Sequence, residues 1–253
     1  MYPTLPFGPL SLPTGPILIL VGVLLGLELA GRYGRRLGLT TDDVWNTGLL
    51  ALLGGLVVAR LWNIVPFWKI YLAEPTLLLS LRPSGFVLLP GLIAALITGY
   101  LYLLRRALDP VRVAAALTVG AVAAGIILSG GAYLTGSLVG TRTAGPWALP
   151  YFGELRHPVA IYQAIGLWLL FALLWIASRR DQPGRTVLLA ALGYSLIRLI
   201  TDAFVDEAAH IAGFRLSQIG ALIAALGVCW LLARTPQPPS QSAPVAEEAS
   251  TPP

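Results

Sequence analysis

Charge is scarce in this chain. Only 11% of its 253 residues are Asp, Glu, Lys or Arg, against 56% hydrophobic residues and a mean hydropathy of +0.76. A soluble domain carries about a quarter charged residues. Too few polar side chains are present to coat a globule of this size in water, so a polytopic membrane protein is expected. Cysteine is nearly absent. The single Cys229 rules out an internal disulfide and a thiolate metal cluster, and in its apolar run it reads as a small buried side chain. No metal and no cofactor is expected. The opening MYPTLPFGPLSLPTGP lacks the positive start of a cleavable signal peptide, so the first apolar run is expected to stay as a membrane helix. The net charge of +5 would suit nucleic acid, but the basic residues gather at the ends of apolar runs. That is the mark of membrane topology, and nucleic acid is set aside as a partner.

Seven apolar runs are present, at 16–30, 44–66, 86–104, 113–128, 159–177, 187–204 and 216–233. Most reach the roughly 20 residues that cross a 30 Å hydrocarbon core. The first is short unless residues 31–33 extend it. The expected fold class is therefore all-α, a seven-helix transmembrane domain over residues 1–235. With the N-terminus outside, the inner ends collect Arg32, Arg35, Arg36, Arg105, Arg106, Arg112, Arg179, Arg180, Arg185 and Arg234. The outer side keeps Lys69, Arg82, Arg142 and Arg156, so the inside bias is ten against four. Residues 236–253, rich in Pro, Ser and Ala, cannot bury apolar area and read as a disordered cytoplasmic tail.

Trp62, Phe67, Trp68 and Tyr71, and again Trp147, Tyr151 and Phe152, mark the outer boundary. They read either as an interfacial aromatic belt or as a lipid or peptide contact surface. Gly54, Gly55 and Gly91 permit close helix packing. No internal repeat is apparent, which argues against a small-molecule transporter.

Charges inside spans are expensive and are candidates for function. Glu28 has Arg32 four residues on, and the two read as a snorkelling pair. Arg60 sits late in the second run, and Arg198 and Asp202 share one face of the sixth. Arg60, Arg142, Arg156 and Arg198 all fall on the outer side. They read either as structural ion pairs or as planar donors for a lipid phosphate.

The longest break between apolar runs is Ser129 to Tyr162, SGGAYLTGSLVGTRTAGPWALPYFGELRHPVAIY. It holds Arg142, Arg156 and His157, one of only two histidines. His157 precedes Pro158, which confines it to extended geometry. It reads either as a helix-entry residue or as a proton carrier near neutral pH. His210, beside Asp206 and Glu207, reads as solvated.

LLGGLVVARLWN, TGSLVGTRTAGPWA, RHPVAIYQA, GYSLIRLITDAF and LSQIGAL stand in an order that resembles the bacterial prolipoprotein diacylglyceryl transferases over residues 16–234. The most specific part is Arg156-His157-Pro158 with Tyr162, followed by the Tyr194, Arg198, Asp202, Phe204 spacing. The resemblance implies a multi-pass enzyme of the bacterial inner membrane. Such an enzyme moves a diacylglyceryl group from phosphatidylglycerol to a cysteine thiol of a lipoprotein precursor, recognised through its signal peptide. The chain departs from the family pattern at several positions. Leu89 and Pro90 stand where the family has a histidine and the first of two glycines. Ungapped alignment puts Ser129, Ala132 and Ser137 at the family's arginine, asparagine and glutamate. Arg198 matches the second family arginine, Asp202 replaces a glutamate and Val205 a third arginine. By this resemblance Arg198, His157 and Asp202 are the expected catalytic set. Arg60, Arg142, Arg156, Tyr162, Ser129 and Ser137 are the expected substrate contacts. The missing groups point to reduced or lost activity, or to a catalytically silent protein that binds phosphatidylglycerol or a lipidated peptide.

Overall fold

The computed structural model describes residues 4–7, 10–76, 85–177, 182–206, 210–211 and 214–234. Strands β1 (Thr4–Phe7) and β2 (Leu10–Pro13) form a hairpin ahead of α1 (Thr14–Arg36). Then come α2 (Thr41–Ile64), the short α3 (Trp68–Ala73), α4 (Leu88–Arg106) and α5 (Pro110–Thr135). A second hairpin, β3 (Leu149–Tyr151) and β4 (Glu154–Arg156), leads into α6 (Val159–Ile176). Helix α7 (Pro183–Thr201) continues into a 3-10 turn, Asp202–Phe204. The short pair β5 (His210–Ile211) and β6 (Phe214–Arg215) precedes α8 (Leu216–Arg234). Among the described residues, α1, α2, α4, α5, α6, α7 and α8 are the seven helices long and apolar enough to cross a membrane. In lipid every backbone polar group must bond within its own segment, so apolar runs of this length fold as helices.

Four expectations change. Cys229, read from its apolar run as a buried side chain, is exposed on α8, because most of that helix's surface packs against no other element. The first helix is not short. It runs through Arg32, Arg35 and Arg36, because long arginine stems extend a helix while their heads reach the interface. Glu28 takes Arg32 Nε at 2.8 Å on that last stretch. The break after the fourth span begins at Gly136, not Ser129. Gly130 and Gly131 remain helical, and a Cβ on Gly131 would sit 3.2 Å from Leu18 Cδ1 of α1. The helix stops only where Gly136 turns left-handed at φ 72° and its N–H bonds back to Tyr133. Finally, Tyr151 is not part of an aromatic belt. It is 2% exposed, and its hydroxyl donates to Tyr133 O. The expected tail at 236–253 lies outside the described residues, as do Arg82, Arg179 and Arg180.

Helix α5 is the axis of the bundle, packed on α1, α6 and α7. Its antiparallel contact with α1 is close enough to bring backbones together, and a Cβ on Gly120 would lie 2.3 Å from Gly26 O. Helices α2 and α4 pair the same way, with a Cβ on Gly55 reaching within 2.9 Å of Gly91 O. Small residues at such crossings let dispersion and close approach replace the hydrophobic drive that lipid does not supply. The densest core lies toward the arginine-rich ends, around Tyr33, Leu37, Val44, Val119, Leu170 and Leu174. There the Tyr33 hydroxyl is 3.2 Å from Thr186 Oγ1, and the Arg36 guanidinium stacks 4.2 Å over Trp175. The opposite half of α5, α6 and α7 holds a cavity, and the site lies there.

Candidate active site

A cavity of about 250 Å³ separates α5, α6 and α7 toward the end where α5 and α7 finish. Helix α5 contributes Gly125, Leu128, Ser129 and Ala132, α6 contributes Gln163 and Leu167, and α7 contributes Tyr194, Ile197 and Arg198. Leu128 and Tyr194 are exposed on the outside of the bundle, so the cavity has a side that faces lipid.

Arg198 is its one cation. The i to i+4 spacing on α7 brings Arg198 Nε and Nη2 to Asp202 Oδ2 at 3.1 and 2.9 Å. The arginine side chain is 38% exposed and the aspartate 2%. The guanidinium is thus steered by a buried acid, and Nη1 makes no hydrogen bond among the described residues. Asp202 is itself fixed through its backbone, because Arg215 Nη1 donates to Asp202 O at 2.5 Å and to Val205 O. A cation on the last carbonyls of a helix also matches the negative end of its dipole. Opposite Arg198 the cavity offers neutral groups. Ser129 is 8% exposed, and Gln163 Nε2 donates to Thr201 Oγ1 at 3.3 Å.

The remaining expected residues lie around this cavity rather than in it. His157 Nδ1 is 3.2 Å from the Tyr162 hydroxyl, and its ring lies 4.8 Å from Phe204. Residues 139–141 and 204–206 are tied together, with Thr141 N donating to Phe204 O at 2.7 Å and Asp206 N to Val139 O at 3.0 Å. His157 is therefore caged at the seam between the loop and the end of α7. Arg156, the preceding residue at the end of β4, faces a different set of groups. It reaches Glu154 Oε2 at 2.6 Å, Asp206 Oδ2 at 2.5 Å and Gly140 O at 3.0 Å. The hydrogen bond to Asp206 raises the affinity of Arg156 for its proton, and the bond from Arg156 holds the Glu154 carboxyl below the usual carboxylate range. Arg142 meets the other oxygen of Glu154 at 2.6 Å. Ser137 is exposed, 3.2 Å from Thr135 Oγ1. Arg60 lies on the α2 and α4 pair, donating to Gly85 O at 3.0 Å with Tyr71 and Phe86 at its faces, and does not line the cavity.

The structure thus unites Ser129 with Arg198 across 69 residues of sequence. It engages Arg142 and Arg156 with acids, and it places Arg60 on other helices. Sequence reasoning passed over Gln163, Arg215, Glu154 and Asp206 as partners. Gln163 carried a signal, as the one amide in an otherwise apolar α6. Arg215 and Asp206 carried none, because their partners are backbone carbonyls or lie 50 residues distant.

Comparison with known proteins adds a second line. A family model described as prolipoprotein diacylglyceryl transferase matches residues 4–234. The phosphatidylglycerol–prolipoprotein diacylglyceryl transferase of Clostridioides difficile (strain 630) is 26% identical over 212 residues, 83% of this chain and 86% of the relative. That of Finegoldia magna is 25% identical over 206 residues, 80% and 83% of the two chains. That of Bacillus cereus (strain 03BB102) is 27% identical over 228 residues, 84% and 83%.

Proposed function

The chain belongs to the prolipoprotein diacylglyceryl transferase family, and from that premise we propose that it moves a diacylglyceryl group from phosphatidylglycerol to the cysteine thiol of a lipoprotein precursor. The protein is a multi-pass protein of the bacterial plasma membrane with phosphatidylglycerol as its lipid substrate. The observation that carries the site assignment is the cavity that joins Arg198 to Ser129 on the lipid-facing side of α5, α6 and α7. At about 250 Å³ it is smaller than the roughly 300–1,000 Å³ of a drug-sized pocket. It takes a headgroup and the glyceryl carbon while the acyl chains stay in the bilayer.

The chemistry asks two things of the residues. The thiol must lose its proton, because the thiolate is the nucleophile. Sulfur then attacks the glyceryl carbon that carries the phosphate ester. The C–S bond forms as the C–O bond breaks, and the electron pair leaves on glycerol phosphate. Charge grows on the departing phosphate, and a fixed cation there lowers the barrier. Arg198 is that cation, with Asp202 aiming its guanidinium and leaving Nη1 for the phosphate. His157 is the candidate proton acceptor, reached from the loop side, with Tyr162 orienting its ring. Ser129 and Gln163 supply neutral hydrogen bonds to the headgroup. Arg142 and Arg156, held by Glu154 and Asp206, keep the loop in shape rather than grip phosphate. The precursor's signal peptide approaches from that same end of the bundle. The arginine bias supports the reading that this end, with the N-terminus, lies on the outer face.

One cation with its own counter-ion is a weak grip. Removing one positioned donor from such a site costs about 3 kcal/mol, or a hundredfold in rate. With Ser129 in place of a family arginine, turnover is slow relative to a typical member. The alternative reading, a silent protein that holds phosphatidylglycerol or a lipidated peptide, draws on the same serine. Purified protein with phosphatidylglycerol and a peptide carrying the lipoprotein cysteine motif separates them. Release of glycerol phosphate that vanishes in Arg198→Ala supports the transferase. No release under conditions where a typical member turns over, with phosphatidylglycerol still bound, leaves the silent reading.

A further inference from the structure

A hairpin that faces water puts its polar residues outward. The β3 and β4 hairpin is inverted. Its register pairs Pro150 with Leu155, and both are exposed, while the charged Glu154 and Arg156 and the aromatic Tyr151 turn toward the protein. The exposed face continues at the tip with Phe152, 72% exposed, and beside the hairpin with Trp147, 56% exposed. Phe152 stands at φ 51° and Gly153 at φ 85°, the two left-handed positions of a tight turn. Asn or Asp ordinarily fills the first of these, and a bulky residue there is strained. An aromatic side chain held out at such a position calls for a partner at the tip.

The height of the tip selects that partner. Tyr151 donates to Tyr133 O, and the two rings lie 5.8 Å apart. Tyr133 belongs to the last turn of α5. The hairpin therefore folds back beside the helix end instead of projecting past it. Helix α5 has 26 residues, about 39 Å at 1.5 Å per residue. With the exposed Asp109 and Arg112 pair marking the other interface, a hydrocarbon core of ~30 Å is crossed by about 20 residues, so the last turn of α5 stands in the headgroup layer. Phe152, with its ring 5.9 Å from that of Tyr151, stands at the same depth. After two residues that follow β4, α6 begins, and it carries the exposed apolar Ile165, Trp168 and Leu169.

We propose that the outward face of this hairpin, Phe152 with Pro150, Leu155 and Trp147, is inserted in the headgroup and acyl boundary of the bilayer, as an interfacial anchor at the edge of the α5 cavity. Ala132, on the cavity wall, lies in the same turn of α5 as Tyr133, so the anchor stands at the same end of α5 as the cavity. The proposal concerns the membrane contact of the fold and does not depend on turnover.

The single native cysteine makes a direct test possible. Phe152→Cys and, separately, Leu155→Cys in a Cys229→Ser background are labelled with an environment-sensitive dye. The labelled proteins are reconstituted into vesicles of phosphatidylglycerol and phosphatidylethanolamine. The expected result is blue-shifted emission that a lipid with a shallow nitroxide quenches and aqueous iodide does not. Quenching by iodide but not by the nitroxide lipid puts the face in water and overturns the proposal. Protection from both quenchers means that protein, either a second copy or a peptide, covers the face, and overturns it equally. Each variant is first checked for wild-type thermal unfolding in detergent, and Leu155→Cys, which leaves the turn intact, decides the matter if Phe152→Cys fails that check.

Discussion

Replacing Arg198 with alanine tests two properties of one ion pair. Asp202 is 2% exposed, and Arg198 is its side-chain partner through Nε and Nη2. Its other oxygen, Oδ1, is buried without a hydrogen bond among the described residues. Deleting the guanidinium strands a buried carboxylate, and breaking such a pair costs about 3–5 kcal/mol. For a protein of this size that corresponds to a fall of roughly 10 °C in the unfolding midpoint. Deletion also removes the cation proposed to meet the departing phosphate, worth about a hundredfold in rate. The two effects separate in Arg198→Ala combined with Asp202→Asn. The buried charge is then gone and most of the stability returns, while the backbone of residue 202 is still held by Arg215. Turnover does not return, because nothing replaces the cation. Thermal unfolding in detergent and glycerol phosphate release, measured on the single and double variants, give both numbers. An Arg198→Ala protein that unfolds at the wild-type temperature refutes the structural half of the reasoning. A double variant with wild-type turnover refutes the catalytic half.

Ser129→Arg returns a second guanidinium to the cavity, and glycerol phosphate release is expected to rise by up to about a hundredfold; a fall or no change argues that the cavity is not the reaction site. Gly120→Ala drives a Cβ into the backbone of α1, at 2.3 Å from Gly26 O, and is expected to lower stability by about 1–3 kcal/mol, whereas helical Gly130, with open space around its Cβ position, is expected to accept alanine without loss. Equal unfolding midpoints for the two variants would count against backbone contact at that crossing. The loop ion pairs have a defined pH window, because Arg156 holds the folded Glu154 carboxyl below its ordinary range. Their contribution is full above the ordinary carboxylate value of ~4.3 and is lost as pH falls toward the depressed folded value. Protection factors of the Thr143 and His157 amides, which donate to Leu155 O and Thr141 O across the Arg142 and Arg156 pair, should stay high at neutral pH and fall in acid, and Glu154→Gln should abolish that acid dependence.

Much of this protein could be read from the order of its residues, and the reason is lipid. Transfer into hydrocarbon depends on local composition, so runs such as 159–177 announce a spanning helix wherever they pack. Pairs four apart on one helix are equally local, which is why Glu28 with Arg32 and Arg198 with Asp202 were legible in advance. The lateral arrangement of helices was not, because every spanning helix is apolar on most of its surface and hydropathy does not say which faces meet. Close contact of Gly26 with Gly120 lays α1 on α5, and it is the packing of α5 against α6 and α7 that brings Ser129 to share a wall with Arg198. The loop after Gly136 was least legible of all. Its arginines look alike in sequence as candidate phosphate ligands, yet Glu154 and Asp206, brought together by the hairpin and the turn after α7, claim two of them. Composition determined that this chain crosses the membrane seven times. Tertiary packing decided which of its few charges face lipid, since a charge at that depth is settled by whatever acid or carbonyl the fold brings within reach.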